Sequence, residues 1–231
     1  VTTRLGTLLL ADARLPVGGH TYSAGLEPAL ADGLAVERIP DYIAARLRTV
    51  GLTETAASVL AHRAAGGTSA PGGPGVDPEA LADGHEALLA RSPSAPLRDI
   101  SGLLGRGLVR LASHLWPEHP AVEALRNLDR SPQRPVALGV VAAVMGSSED
   151  ETARVALYDD AQTVASAALK LAPVDPVDAA GWVLGSEAVI AEVAAEALAV
   201  RGADDMPART APQIEGWSLE QQNRTRRIFV A

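Results

Sequence analysis

Apolar residues recur at three- and four-residue intervals along almost the whole chain, and the alternating Val/Ile/Thr runs of half-buried strands are nearly absent, so the pattern predicts an all-α fold. The spacing places helices over 3–13, 22–33, 39–65, 78–91, 97–115, 119–128, 134–147, 149–172, 175–201 and 212–224, a bundle of about ten helices. Three starts carry their own capping chemistry: Asp77-Pro78-Glu79, Ser148 with Glu151 three residues on, and Asp175-Pro176-Val177-Asp178. Each sets a side-chain acceptor at the N-cap or an acid in the first turn, and proline costs nothing at a position whose N–H would be unpaired anyway.

Within the helix read over 175–201, Trp182, Val189, Val193 and Val200 share one stripe while Glu192 and Glu196 lie on the other side, the pattern of a bundle helix facing a core. Gly181, Gly185 and Ala188 form a ridge of small residues that a second helix, from this chain or from another copy, can approach. These glycines and Gly139 are read as serving close helix packing. The segment from Gly66 to Asp77 is almost wholly turn formers and reads as a flexible loop; Arg201 to Pro212 reads as a second one. The piece before the first loop has too few large side chains to fold alone, so residues 1–231 are expected to form a single domain with a flexible loop at 66–77 and a C-terminal tail at 212–231.

Charge narrows the functional classes. Lys and Arg number 20 against 28 Asp and Glu, a net charge of −8 that opposes phosphate-backbone binding, so no nucleic-acid partner is expected. With no cysteine there is neither a disulfide framework nor thiol chemistry. The hydrophobic fraction of 47% rests largely on alanine, and the longest apolar run, Val136 to Met145, is about half of the roughly 20 residues a membrane span needs. Arg4, Leu8, Leu9 and Leu10 followed by Ala11-Asp12-Ala13 imitate a secretory leader only faintly, with one positive charge and an acid at the end of a short run. The expectation is a cytoplasmic chain with no membrane association.

Motifs that carry chemistry are few. There is no Gly-x-x-x-x-Gly-Lys-Ser/Thr and no Gly-x-Gly-x-x-Gly after a strand, so a Gly-rich phosphate loop is not expected. His20, His62, His85, His114 and His119 are dispersed, Pro117 breaks the geometry of the nearest pair, and all five read as surface or half-buried imidazoles, with no metal site. Thr21-Tyr22-Ser23-Ala24-Gly25 keeps half of a nucleophile elbow, and a hydrolase using Ser23, His20 and Glu27 is the competing reading, beside a helical small-molecule-binding domain. Ser23 reads more simply as a cap or turn residue. The unusual segment is Leu15 to Glu27, in which Pro16 ends a helix and Gly18 and Gly19 permit positive φ. It brings Tyr22 and His20 into a stiff loop of the kind that presents side chains.

Those residues carry a resemblance. Asp12 to Glu27, with Leu15-Pro16-Val17-Gly18 and Tyr22-Ser23 before Gly25-Leu26-Glu27, resembles the N-terminal signature of the urease accessory protein UreF family. Ser101 with Gly105-Arg106-Gly107-Leu108-Val109-Arg110, Pro135-Val136-Ala137-Leu138-Gly139, Ala167-Ala168-Leu169-Lys170-Leu171 and Arg226-Arg227-Ile228-Phe229 are similar to its later blocks, in order. His20 stands at a usually aromatic position, Gln221 and Gln222 where a His-Glu pair is common, Gly102 where Arg is frequent and Asp175-Pro176 where Gly-Gln is usual, which suggests a divergent branch.

The resemblance implies a helical, dimeric, non-enzymatic scaffold without a cofactor of its own. It implies partners as well: the accessory protein UreD (UreH), the GTPase UreG, which the scaffold recruits or regulates, and apo-urease, into which nickel is inserted. The candidate partner-binding residues are Pro16, Gly18, His20, Tyr22, Ser23, Glu27, Lys170, Arg224, Arg227 and Phe229. The tail is expected to bend back so that Arg227 and Arg224 donate hydrogen bonds to the His20–Ser23 loop.

Overall fold

The computed structural model describes residues 5–12, 14–66, 75–222, 225 and 227–229, and of His20 the backbone alone. In chain order the helices are α1 (Leu5–Leu10), α2 (Leu26–Ala31), α3 (Ile39–Arg46), α4 (Leu52–Ala64), α5 (Pro78–Ala90), α6 (Ala95–Leu115), α7 (Pro120–Arg126), α8 (Arg134–Val144), α9 (Glu149–Leu171), α10 (Pro176–Gly185), α11 (Glu187–Ala199) and α12 (Pro212–Gln222). Among the described residues there is no strand, and the all-α class read from the periodicity is what forms. None of these helices is long and apolar enough to cross a membrane.

α4 is the axis of the bundle. Apart from Glu54 and Arg63 all its residues are buried, the polar Thr53, Thr55, Ser58 and His62 among them. It packs against α5, α8, α9 and α11, and α8 carries the apolar run from Val136 to Val144, buried through Ala142. Contact between α4 and α8 is backbone-close: a Cβ added at Gly139 would lie 2.1 Å from the Ser58 carbonyl oxygen. The packing role expected of Gly139 is therefore real. Gly181 and Gly185 differ, since a Cβ added at either would meet no other part of the chain within 4 Å, and their ridge faces outward.

The caps read from sequence are in place. Asp77 accepts from the Ala80 N–H at 3.0 Å, Asp175 from the Val177 N–H at 2.8 Å, and Ser148 and Glu151 make the reciprocal capping box at 3.1 and 2.8 Å. Two expected helices are altered. The one over 22–33 begins only at Leu26, and the one over 175–201 breaks at Ser186, whose hydroxyl donates to the Trp182 carbonyl at 2.9 Å right after Gly185, a combination that bends and ends helices. The helix read over 39–65 is nearly whole, but residues 47–51 form one wide turn between α3 and α4.

Arg201 to Pro212 is irregular as expected, yet it is pinned rather than loose. The Thr53 hydroxyl donates to the Pro207 and Arg209 carbonyls, Arg91 donates to the Met206 carbonyl, and the Met206 side chain is buried. Residues 67–74 of the other expected loop lie outside the described residues. His62 and His85 are buried rather than superficial. The Nε2–H of His62 donates to the Ser147 carbonyl, while Nε2 of His85 accepts from the Gln133 N–H, so the two rings are fixed in opposite tautomers. Burial lowers the pKa of both below the usual histidine value and keeps them neutral.

Candidate functional site

The loop before α2 is built from backbone conformations that few residues adopt. Gly18 (φ 88°) and Gly25 (φ 80°) bracket a short 3-10 turn at Gly19–Thr21, and Ala24 is left-handed at φ 55°. Tyr42 from α3 fixes this strain by donating its hydroxyl to the Ala24 carbonyl at 2.7 Å. Ser23 is fully buried, its Oγ accepting from the Glu27 N–H at 3.4 Å, which is the turn-residue role rather than that of an accessible nucleophile. On the other side of the loop, α6 passes so close that a Cβ at Gly107 would sit 2.7 Å from the Val17 carbonyl oxygen.

Behind the loop lies a buried cluster of charges. Arg46, the last residue of α3, is 1% exposed; its Nε donates to Asp160 of α9 at 2.8 Å and its Nη2 to the Tyr22 hydroxyl at 3.2 Å, with Glu54 at 3.9 Å. The guanidinium also lies 6.0 Å from the centre of the Tyr22 ring. Arg134 pairs with Asp159 next door. Arg46 Nη1 and Asp160 Oδ2 are buried without a hydrogen-bond partner. A cavity of about 160 Å³ opens here, with Ile100 and Leu104 of α6 on its apolar wall and Glu54 and Asp160 on its charged wall. Burial pushes the Tyr22 hydroxyl up to about 12, so it stays a neutral acceptor for Arg46.

Burial also pushes the Glu54 carboxyl up to about 7, the Arg46 charge opposing it and the Asp160 charge adding to it. The 32% of its side-chain surface that remains open faces the cavities it lines. From the ordinary glutamate value of 4.5 to about 7 the folded chain retains a proton that the unfolded chain releases, so this group makes stability fall as pH rises through that window. His62 and His85, with lowered values, act in the opposite sense. The difference between the unmodified chain and Glu54→Gln isolates the carboxyl: the variant's urea midpoint should rise relative to the unmodified chain as pH increases from 4.5 to about 7. Parallel pH profiles would refute the assignment.

α12 carries the tail to this place. The Trp217 indole N–H donates to Asp32 at 2.8 Å, and the Ser218 and Ser94 hydroxyls are bonded at 2.6 Å, fixing α12 on α2 and α6. Beyond it the chain returns to the loop and meets Glu27. The carboxylate of Glu27 accepts from Gln221 Nε2 at 2.7 Å, from the Ile228 N–H at 2.6 Å and from the Phe229 N–H at 2.9 Å. The Phe229 ring, on a residue 3% exposed, lines the cavity with Tyr22, and the Lys170 ammonium sits 5.1 Å from its centre.

The expected bend of the tail thus forms, but through different atoms. Arg227 is exposed and, among the described residues, makes no hydrogen bond to the His20–Ser23 loop. An acceptor-only carboxylate satisfies two successive main-chain N–H donors and a side-chain amide at once, so Glu27 takes the role expected of the arginines. Arg224 and the His20 side chain lie outside the described residues. Of the remaining candidates, Tyr22, Lys170 and Phe229 meet at the cavity, Gly18, Ser23 and Glu27 shape or hold the loop, and Pro16 is exposed at its entrance.

Arg46, Glu54, Asp160 and Gln221 were not among the candidates, although the sequence holds a signal for three of them. Asp160 falls in phase with Ala153, Leu157, Val164 and Ala168, and Arg46 in phase with Ile39 and Ile43, so each is a charge on a core-facing stripe. Gln221 falls in phase with Ile214 and Trp217 in the same way, a polar residue on the buried stripe of α12. Among the described residues no group of three or more His, Asp or Glu side chains is arranged to hold a metal ion.

The family model for UreF matches residues 35–187. Over 233 residues, covering the whole of both chains, this sequence is 35% identical to the urease accessory protein UreF of Mycobacterium sp. (strain JLS). It is 34% identical to that of Mycolicibacterium vanbaalenii over 98% of this chain and 99% of the relative, and 30% identical to that of Mycobacterium bovis (strain BCG / Pasteur 1173P2) over 99% and 100%. These full-length matches include the loop before α2 and the tail after α12, which lie outside the span of the family model. The chain belongs to the UreF family of urease accessory proteins.

Proposed function

We propose that this chain acts as a single, non-catalytic, cytoplasmic helical unit that binds the accessory protein UreD (UreH) and recruits or regulates the GTPase UreG for nickel insertion into apo-urease. The observation that carries the reading is the end-to-end match to urease accessory proteins, which extends over both the loop and the tail. The tail's seat on Glu27 adds support, since it leaves Arg227 exposed and sets Phe229 against Lys170 at the cavity that Tyr22 of the signature segment also lines. A homodimer is part of the proposal. The outer face of α10 fits it, with Val177 and Leu184 76% and 75% exposed beside the open Gly181 and Gly185, so that protruding and recessed positions on one face can interlock about a two-fold axis.

The test is co-purification with a cognate UreD, followed by size exclusion with UreG and GDP. A stable complex containing UreG is expected only when UreD is present, and Arg227→Ala is expected to weaken UreG capture by about tenfold or more, as loss of an interface arginine anchor does. Failure to bind either partner would overturn the proposal, and unchanged capture by Arg227→Ala would remove Arg227 from it.

A further inference from the structure

The carboxylate of Glu27 is committed within its own chain. Its three donors come from 194, 201 and 202 residues away in sequence, and two of them are consecutive main-chain amides, so that a single side chain fixes the path of the segment at Ile228 and Phe229. Gln221 is fully buried and spans the gap, its Nε2 donating to Glu27 and, at 3.5 Å, reaching the Phe229 carbonyl. Held this way, the Phe229 ring occupies one side of the cavity that the Arg46–Asp160 cluster borders, under the Lys170 ammonium. On that path the side chains before Phe229 face outward, Arg227 exposed and Ile228 63% exposed.

The geometry assigns Glu27 as the latch of the tail: a positioning residue that seats Phe229 as the plug of the cavity and thereby presents Arg227 and Ile228 at the surface. Glu27 then acts on a partner through the tail and not by touching it. A carboxylate suits the task because all three groups it meets are donors. The isosteric amide does not, since Glu27→Gln exchanges one acceptor oxygen for an NH₂ that faces donors. The latch rests on the hydrogen bonds alone, while its consequence for partner capture rests on the function proposed above.

Amide hydrogen exchange in the full chain tests the two separately. The Ile228 and Phe229 amides should be protected in the unmodified chain and exchange at least about tenfold faster in Glu27→Gln, with the amides of α4 and α8 unchanged. Gln221→Leu, which leaves the two main-chain bonds in place, should give a smaller acceleration at the same amides. Equal exchange at Ile228 and Phe229 in the unmodified chain and a folded Glu27→Gln overturns the latch. Should that variant fail to fold, free-peptide exchange rates at these two amides in the unmodified chain overturn it on their own. In the UreD-dependent assay, Glu27→Gln is expected to lose UreG together with its amide protection. Freed amides with undiminished capture would leave the latch standing and overturn the tail's part in recruitment. Lost capture with the amides still protected would overturn the latch as the route by which Glu27 acts.

Discussion

Gly105→Ala and Gly139→Ala are each expected to cost about 3 kcal/mol or more, or to prevent folding. A single methyl group is seldom so expensive. Here it has no room: a Cβ at Gly105 would lie 1.9 Å from the Pro132 carbonyl oxygen and one at Gly139 2.1 Å from that of Ser58. In both cases the obstacle is backbone, which cannot rotate away as a side chain would, so α6 and α4 would have to separate from the segment they touch. Against a total stability on the order of 5–15 kcal/mol this is a large fraction. Gly216→Ala is the control. Gly216 lies in α12 with nothing within 4 Å, so alanine there should gain roughly 0.5–1 kcal/mol from helix propensity. Thermal unfolding should therefore move about 6–12 °C down for the first two variants and a few degrees up for the third. A tolerated Gly139→Ala would mean that α4 and α8 do not approach as closely as described.

Arg46→Met should destabilise the chain by about 3–5 kcal/mol, because it leaves Asp160 buried and without its ion-pair partner. Asp160→Leu should be similarly damaging through the orphaned guanidinium. Combined, the two substitutions should recover most of the loss, since a buried pair replaced by apolar groups of similar bulk gives up the Coulomb attraction but also escapes the cost of desolvating both ions. Urea unfolding of the two single variants and the double variant gives the coupling directly, and additive losses would refute the pair. The double variant also separates stability from placement. Tyr22 would lose its only described tie to α3 through Arg46, so the loop should exchange its amides faster even in a chain whose midpoint has recovered.

The parts of the fold that could be read from sequence are those governed by nearest neighbours along the chain. Asp77, Ser148 and Asp175 cap helices because an acceptor next to free N–H groups needs no tertiary partner, and each cap is where the spacing puts it. Ser186 shows where that reasoning stops. The stripe through Val193 and Val200 is real, but the back-bonded serine after Gly185 divides the helix. Gly181 and Gly185 were as good candidates for packing as Gly139, and only the neighbours decide between them. At the site, the motif from Leu15 to Glu27 marked the right segment, whereas the atoms that join it to the tail were different from those expected.

By itself the sequence determined the all-α class, most helix starts and the family resemblance, because these depend on periodicity, local hydrogen bonding and contiguous motifs. Only the tertiary structure decided which charges are buried, which glycines touch backbone and how the tail is held. Arg46 and Asp160 are 114 residues apart and Glu27 and Phe229 are 202 apart. Whether a carboxylate at such a position meets water, a guanidinium or a main-chain amide depends on how α3, α9 and α12 pack, and a pattern of neighbours along the chain carries no information about which distant donor arrives.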